Sequence, residues 1–497
     1  MKILLASSEA RPYSKTGGLA DMVAALAKSL AQAGHQVGLI TPLYLGLRER
    51  LRDLQRTDLQ LDFPLGVRRV RGEVWVRHQS PGLSIYFIDQ PEFFQRSTLY
   101  QKYGQDYPDN AERFIFFSKA IAHLATELRP AADVVHLNDW QTGLAALFLQ
   151  ESRRLRRDKP VPRTCMTVHN LAYQGVFPPQ AFSLTNLHWD QFNPETTEFY
   201  GQLNCLKAGI ACADIVTTVS PRYAQEITTD EFGCGLDGLL RQRQATLLGI
   251  PNGVDYEEWN PSANHWIPHA YSRGDLSGKA TNKLELQREL GLPINPSIPL
   301  FGNIGRLVEQ KGVDVLLEAL GELLASELQF VLLGTGTPAF EQAYQQLRQR
   351  HPGKVAVQIG FDEGLSHRIE AGCDFFLMPS RFEPCGLNQM YSLRYGTIPI
   401  VHATGGLDDT VIDVRDPASS EGGSIRANGI KFHEHSAAAL GKAIRKALAL
   451  FAEPEVFAHF RQNAMAADFS WEHTAAQYVE VYERALAIGR AGPSPTG

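Results

Sequence analysis

Apolar and polar positions along the chain alternate between two signatures. Residues 2–7, KILLAS, hold an unbroken apolar run from Ile3 to Ala6, as suits a parallel strand buried on both faces. After a loop, LADMVAALAKSLAQAGH sets Leu19, Met22, Val23, Leu26 and Leu30 at helical spacing, with Gly34 as a C-terminal stop. QVGLITP is a second buried strand. Further strand-like runs are SIYFID (84–89), ADVVHLN (132–138), RTCMTVHN (163–170) and DIVTTVS (214–220), separated by helical stretches such as 111–128. Residues 256–296 break the rhythm. They are rich in Asn, Pro, Trp and charge, and an irregular connection is expected there. From 298 the rhythm restarts with IPLFGNIGRL, a helix over 312–325, LQFVLLGTG, VAVQIGF, CDFFLMPS and TIPIVHATGGL. WEHTAAQYVEVYERALAIG reads as a last helix, followed by a Gly/Pro/Ser tail expected to be disordered.

Strand–loop–helix–strand units in each half predict two doubly wound α/β domains, and 497 residues exceed what one core holds. The expected division is 1–255 and 256–470, then a helix over 471–490 and a tail at 491–497. Composition is that of a globular protein, with 44% hydrophobic and 21% charged residues. A net charge of −6 speaks against a nucleic-acid or membrane partner. No run is long enough to span a membrane, and MKILLASSEA lacks the apolar segment of a signal peptide. The six cysteines contain no CxxC pair, so reduced thiols and a cytoplasmic location are expected.

The tetrapeptide TGGL occurs twice, at 16–19 and 404–407, each time where a strand-end loop leads into a helix. Ligands of open α/β sheets bind at such loops. Glycine pairs let backbone N–H groups approach a phosphate, and Lys15 adds a cation; a tight turn without ligand would read the same way. In GRLVEQKG, Arg306 and Lys311 suit a diphosphate or a solvated surface pair. In PSRFEPCGL, Glu383 sits in a Pro-bounded strand-end loop, placed for catalysis, for sugar hydroxyls, or for a helix dipole. HLNDW presents Asp139, and TVHN presents His169, past two further strands. No D-x-D occurs, so no metal-bridged diphosphate is expected, and cationic side chains must neutralise the leaving group.

These segments, with YPDNAERFIFFSKA, TVHNLAYQG, PNGVD, TGGLDDTV and FSWEHTAAQYVEVYERAL, resemble bacterial glycogen synthases and plant starch synthases over essentially the whole chain. The resemblance implies the GT-B glycosyltransferase fold, two Rossmann-like domains facing across a cleft, with the C-terminal helix crossing back to the first. It implies transfer of glucose from ADP-glucose to an α-1,4-glucan acceptor with retention, no cofactor and no metal. Carried over, Lys15 and Gly18, with Asp21, approach the sugar nucleotide from the first domain. Arg306 and Lys311 hold its diphosphate, helped by Thr404, Gly405 and Gly406. His169, Asp139, Asn252 and Glu383 form the glucose pocket, and Phe361 stands where the family stacks an aromatic on adenine. Two positions depart from the family pattern: Asn138 replaces a frequent histidine before Asp-Trp, and Phe361 replaces a frequent tyrosine.

Two mechanisms remain open on the residues. Either the diphosphate leaves as the acceptor enters on the same face, or Glu383 acts as a covalent nucleophile. A nicotinamide dehydrogenase would need GxGxxG, which is missing, and a non-catalytic glucan-binding protein would need no diphosphate cations. A glucan phosphorylase would need a lysine-bound pyridoxal phosphate.

Overall fold

The computed structural model describes residues 1–155, 161–419 and 426–490; the tail expected at 491–497 lies outside them. The chain divides into two compact units. The first contains Met1–Val219, Ala224–Gly253 and the chain from Trp471 onward; the second contains Ser220–Tyr223 and Val254–Ser470.

Among the described residues, the main sheet of the first unit has nine strands. They are β1 (Lys2–Ala6), β2 (Gln36–Pro42), β3 (Gln55–Leu65), β4 (Arg68–Ser80), β5 (Leu83–Asp89), β6 (Val134–Asn138), β7 (Arg163–Val168), β8 (Ile215–Thr218) and β9 (Leu247–Gly249). Their spatial order is β9-β8-β7-β6-β1-β2-β5-β4-β3. β1 pairs in parallel with β2 on one side and with β6 on the other. The chain therefore winds outward in two directions from β1, and the β1/β6 boundary is the topological switch point. The uninterrupted apolar runs become these central strands, and Ile3 to Ala6 are all buried.

The sequence expectation omits β3 and β4, which extend the sheet beyond β5, β4 antiparallel to β5 and β3 antiparallel to β4. Leu59, Leu61, Phe63 and Leu65 do alternate with polar neighbours, the two-residue period of a strand with one wet face. The helix α1 (Gly18–Gln32) turns Met22, Val23, Leu26 and Leu30 inward. α2 (Asn110–Glu127) and α3 (Trp140–Leu155) follow, the latter starting directly after Asp139.

The second unit carries a parallel sheet of β10 (Leu300–Leu307), β11 (Gln329–Gly336), β12 (Val355–Ile359), β13 (Phe375–Met378), β14 (Ile398–His402) and β15 (Ile430–Phe432). Its order is β12-β11-β10-β13-β14-β15, so its switch point lies between β10 and β13. One face packs Leu316, Leu320, Phe330 and Ile444; the other packs Leu286, Val331, Ile369 and Phe376.

The irregular connection expected at 256–296 is corrected by a thirteen-residue helix, α4 (Ser277–Glu289). Its buried face is largely polar, with Lys279, Asn282, Lys283 and Gln287 inside, so no apolar stripe marks it. Lys279 donates to the carbonyls of Glu370 and Ala371 and to Thr397 Oγ1, and Lys283 pairs with Asp374 at 2.7 Å. Those partners come from distant segments. Further on are α5 (Val313–Leu323), α6 (Glu363–Gly372) and α7 (Gly405–Thr410). The closing helix, α8 (Trp471–Arg490), belongs to the first unit. Its Tyr478 and Tyr482 are buried, and Tyr482 Oη lies 2.8 Å from His136 Nδ1 on β6.

Candidate active site

Each unit gathers polar groups where its strands end, at its own switch point. In the first unit these are Glu9 after β1, Asp139 after β6 and His169 after β7. Asp139 has a positive φ of 56°, a conformation Asp tolerates better than most residues. Its Oδ1 accepts the His169 backbone N–H at 2.8 Å. Burial pushes the Asp139 carboxyl up to about 7; the His169 N–H opposes this, and the Glu9 charge adds to it.

Asn138 orients the histidine. Its Nδ2 donates to Ala6 O at 3.1 Å, which turns Oδ1 toward His169 Nε2 at 2.9 Å. His169 therefore carries its proton on Nε2 and presents Nδ1 as an acceptor. Burial holds this imidazole down at about 3, so it is neutral at any physiological pH. A neutral acceptor beside Asp139 suits sugar hydroxyls rather than phosphate. The departure from the family pattern at residue 138 thus bears directly on the site.

The first TGGL opens α1, with Gly17 at the cap. Its N–H groups are only partly available to a ligand. Glu9 Oε2 accepts from Thr16 N at 2.5 Å and Gly17 N at 3.3 Å, while Oε1 accepts from Thr16 Oγ1 at 2.5 Å and Tyr100 Oη at 2.8 Å. A protein carboxylate thus occupies the place at the helix start where an anion is favoured. Sequence reasoning missed Glu9, although its place just beyond a buried strand was a visible signal. Lys15 Nζ lies 2.7 Å from Asp21 Oδ2, and Arg11 approaches the same carboxylate at 3.6 Å. Asp21 holds Lys15 in place at the start of α1, beside Gly18. Asn252, which follows β9, is buried, and its Oδ1 has no hydrogen-bond partner among the described residues.

In the second unit, Lys311 and Glu383 meet across the β10/β13 boundary. Lys311 Nζ lies 2.5 Å from Glu383 Oε2, which also accepts from Ser380 Oγ at 3.0 Å. Glu383 is 7% exposed, so its carboxylate is fixed rather than solvated. The second TGGL opens α7 with Thr404 at the cap, and its glycines serve close packing. Gly405 has φ +45°, and a Cβ there would stand 2.1 Å from Glu383 O; one on Gly406 would stand 2.0 Å from Cys385 O. Gly406 N–H donates to Glu383 O at 3.1 Å. The glycine pair therefore cradles the loop that presents Glu383. His402 and His435 hold the same loop, Nδ1 of the first 2.8 Å from Ser380 O and Nε2 of the second 2.9 Å from Pro379 O. Neither histidine was singled out by the sequence. Arg306 is exposed at the end of β10, with one long contact of 3.4 Å to Gln310. Phe361, between β12 and α6, is 85% exposed, an uncovered aromatic face.

Two Rossmann-like units, one with cations and a fixed carboxylate at its switch point, define a glycosyltransferase of the GT-B class. Residues 2–242 match the family model described as starch synthase catalytic domain, and residues 290–465 match glycosyl transferases group 1. The chain is 49% identical to a glycogen synthase of Anaeromyxobacter sp. (strain Fw109-5), covering 98% of this chain and 100% of that protein. It is 42% identical to a glycogen synthase of Rhodopirellula baltica, over 99% of each. Among solved structures, the catalytic domain of starch synthase IV from Arabidopsis thaliana, bound to ADP and acarbose, matches with a TM-score of 0.86 at 34% identity. That match covers 98% of this chain and 99% of the other. The chain belongs to the glycogen synthase and starch synthase family. None of its described helices is long and apolar enough to cross a membrane, and none of the six cysteines forms a disulfide.

Proposed function

We propose that this chain transfers glucose from ADP-glucose to the non-reducing end of an α-1,4-glucan such as glycogen, with retention. The reaction runs in the cytoplasm, with no metal or organic cofactor in the chemical step. Family membership supports the glucan product, and the ADP of the Arabidopsis relative supports the adenine nucleotide. The observation that carries the reading is the contact of Lys311 with the buried Glu383 at a strand-end switch point.

In this reading Arg306 and Lys311 bind the diphosphate, with charge-assisted hydrogen bonds compensating its oxygens. Phe361 stacks on the adenine. Asp139, the neutral His169 and the unpartnered Oδ1 of Asn252 accept hydrogen bonds from sugar hydroxyls. In the step itself the bond from C1 to the diphosphate oxygen breaks while the acceptor O4 bonds to C1 on the same face. The O4 proton passes to the departing phosphate oxygen, and ADP leaves. As charge gathers on the diphosphate it draws Lys311, and Glu383 is then less neutralised and stabilises the cationic centre at C1.

The test measures glucose incorporation into glycogen from ADP-glucose and from UDP-glucose, before and after chelation. ADP-glucose is expected to be the better donor and the chelated protein to keep most of its rate. No transfer from either donor, or loss on chelation with rescue by Mg²⁺ or Mn²⁺, overturns the reading.

A further inference from the structure

Within the second unit, away from Lys311 and Glu383 in the fold's strand order, three potential metal ligands converge. Glu258, Glu363 and His367 each bring one ligand-type atom within 4.8 Å of the others. Glu258 lies in the segment after residue 254. Glu363 opens α6 and His367 stands one turn later, so both side chains leave the same face of the helix.

The histidine supplies an independent indication. His367 is fully buried, and its Nε2 has no hydrogen-bond partner among the described residues. Buried ring nitrogens are normally satisfied, so an orphan of this kind points to a missing ligand. Its ring is fixed by stacking on Trp259, with centroids 4.0 Å apart. Nδ1 lies 3.1 Å from Tyr395 Oη and 3.0 Å from Asn264 Nδ2. Asn264 Nδ2 has donor contacts to Glu258 O at 3.0 Å and Tyr395 Oη at 2.8 Å, which use its two hydrogens. With the ring proton on Nδ1, where Tyr395 Oη at 3.1 Å can accept it, Nε2 offers its lone pair to an ion. A metal-bound imidazole is held in just this way, its second nitrogen donating to a fixed acceptor.

We propose that Glu258, Glu363 and His367 bind a first-row divalent cation of the Zn²⁺ type. One imidazole with two carboxylates suits such an ion better than Mg²⁺ or Ca²⁺, which take oxygen ligands. Ligand atoms about 2.0–2.1 Å from a tetrahedral Zn²⁺ stand about 3.3 Å apart, so the cluster must contract. Glu363 is exposed and can swing inward, while His367 is held by its stacking and hydrogen bond. The ion would tie the segment around residue 258 to the start of α6, two residues beyond Phe361. It takes no part in glucosyl transfer.

The test uses the full chain, stripped with chelator and dialysed. Calorimetry with Zn²⁺ is expected to show one ion per chain, undisplaced by a large excess of Mg²⁺. Co²⁺ is expected to give visible d–d bands that Zn²⁺ abolishes. Glu258→Gln and Glu363→Gln should each weaken Zn²⁺ binding at least about tenfold, since each removes an ionised ligand, while leaving the melting temperature of the metal-free protein unchanged. His367→Gln should remove the Co²⁺ bands. Absence of stoichiometric binding, or binding that survives both carboxylate substitutions, overturns the proposal. A changed KM for ADP-glucose on loading would further require Phe361 to stack adenine; calorimetry and the Co²⁺ spectrum do not depend on that reading.

Discussion

Replacing Asp139 by asparagine isolates one ionisation in the first unit while keeping the local geometry. Asn tolerates the positive φ of this position, and its carbonyl oxygen can still accept the His169 N–H. The wild-type carboxyl titrates at about 7 in the folded protein, against an ordinary value of 3.8, chiefly because burial disfavours the charged form. The folded state thus binds this proton more tightly than the unfolded state. Its stability contribution is greatest at low pH and is lost as pH rises from about 4 to about 7. At about 1.4 kcal/mol per tenfold change in proton affinity, the full shift is worth about 4 kcal/mol. Partial solvent access to the side chain and the span from pH 4.5 to 8 reduce the observable part to about 2–3 kcal/mol. Urea unfolding of both proteins across that range, compared at each pH, cancels every other titrating group. Asp139→Asn should gain stability on the wild type steadily as pH rises, with equal m-values. A gap that stays flat within about 0.5 kcal/mol would show that Asp139 ionises freely in the fold, refuting the burial argument.

Glu383→Gln keeps size but removes the charge proposed to act in the transition state, so kcat should fall about 10²–10³-fold with donor KM within a few-fold; an unchanged kcat in steady-state assays would make Glu383 structural. Gly405→Ala drives a Cβ to 2.1 Å from Glu383 O and should lower kcat strongly by displacing the Glu383 loop, whereas Gly321→Ala, with nothing within 4 Å of its Cβ, should leave kcat unchanged and raise stability by about 0.5–1 kcal/mol. Equal kcat for both glycine variants would contradict the cradle. Arg306→Ala should weaken ADP binding about 10–100-fold by calorimetry, while Lys15→Ala, whose ammonium is already paired with Asp21, should change it only slightly. Equal large losses, or none from Arg306, would refute that division of roles.

Much of this molecule is determined by the order of its residues alone. Runs such as KILLA and LFGNIGRL are mainly apolar because a central parallel strand is covered on both faces, and that pattern survives in one dimension. The two TGGL helix starts and the strand-end positions of Asp139, His169 and Glu383 are equally local. The resemblance to glycogen and starch synthases rests on the same short segments, and the family comparisons agree with it. Tertiary structure decided the rest. α4 hides its periodicity because Lys279 and Lys283 find buried partners almost a hundred residues away, and no window along the chain contains both sides of those contacts. Glu9 settles over the first glycine pair, and Asn138 sets the His169 tautomer, only once β1, β6 and β7 lie side by side. The second glycine pair reads in sequence as a phosphate loop or a tight turn alike; in the fold its missing side chains let the Glu383 loop approach, because backbone from residue 383 must pass where a Cβ would stand.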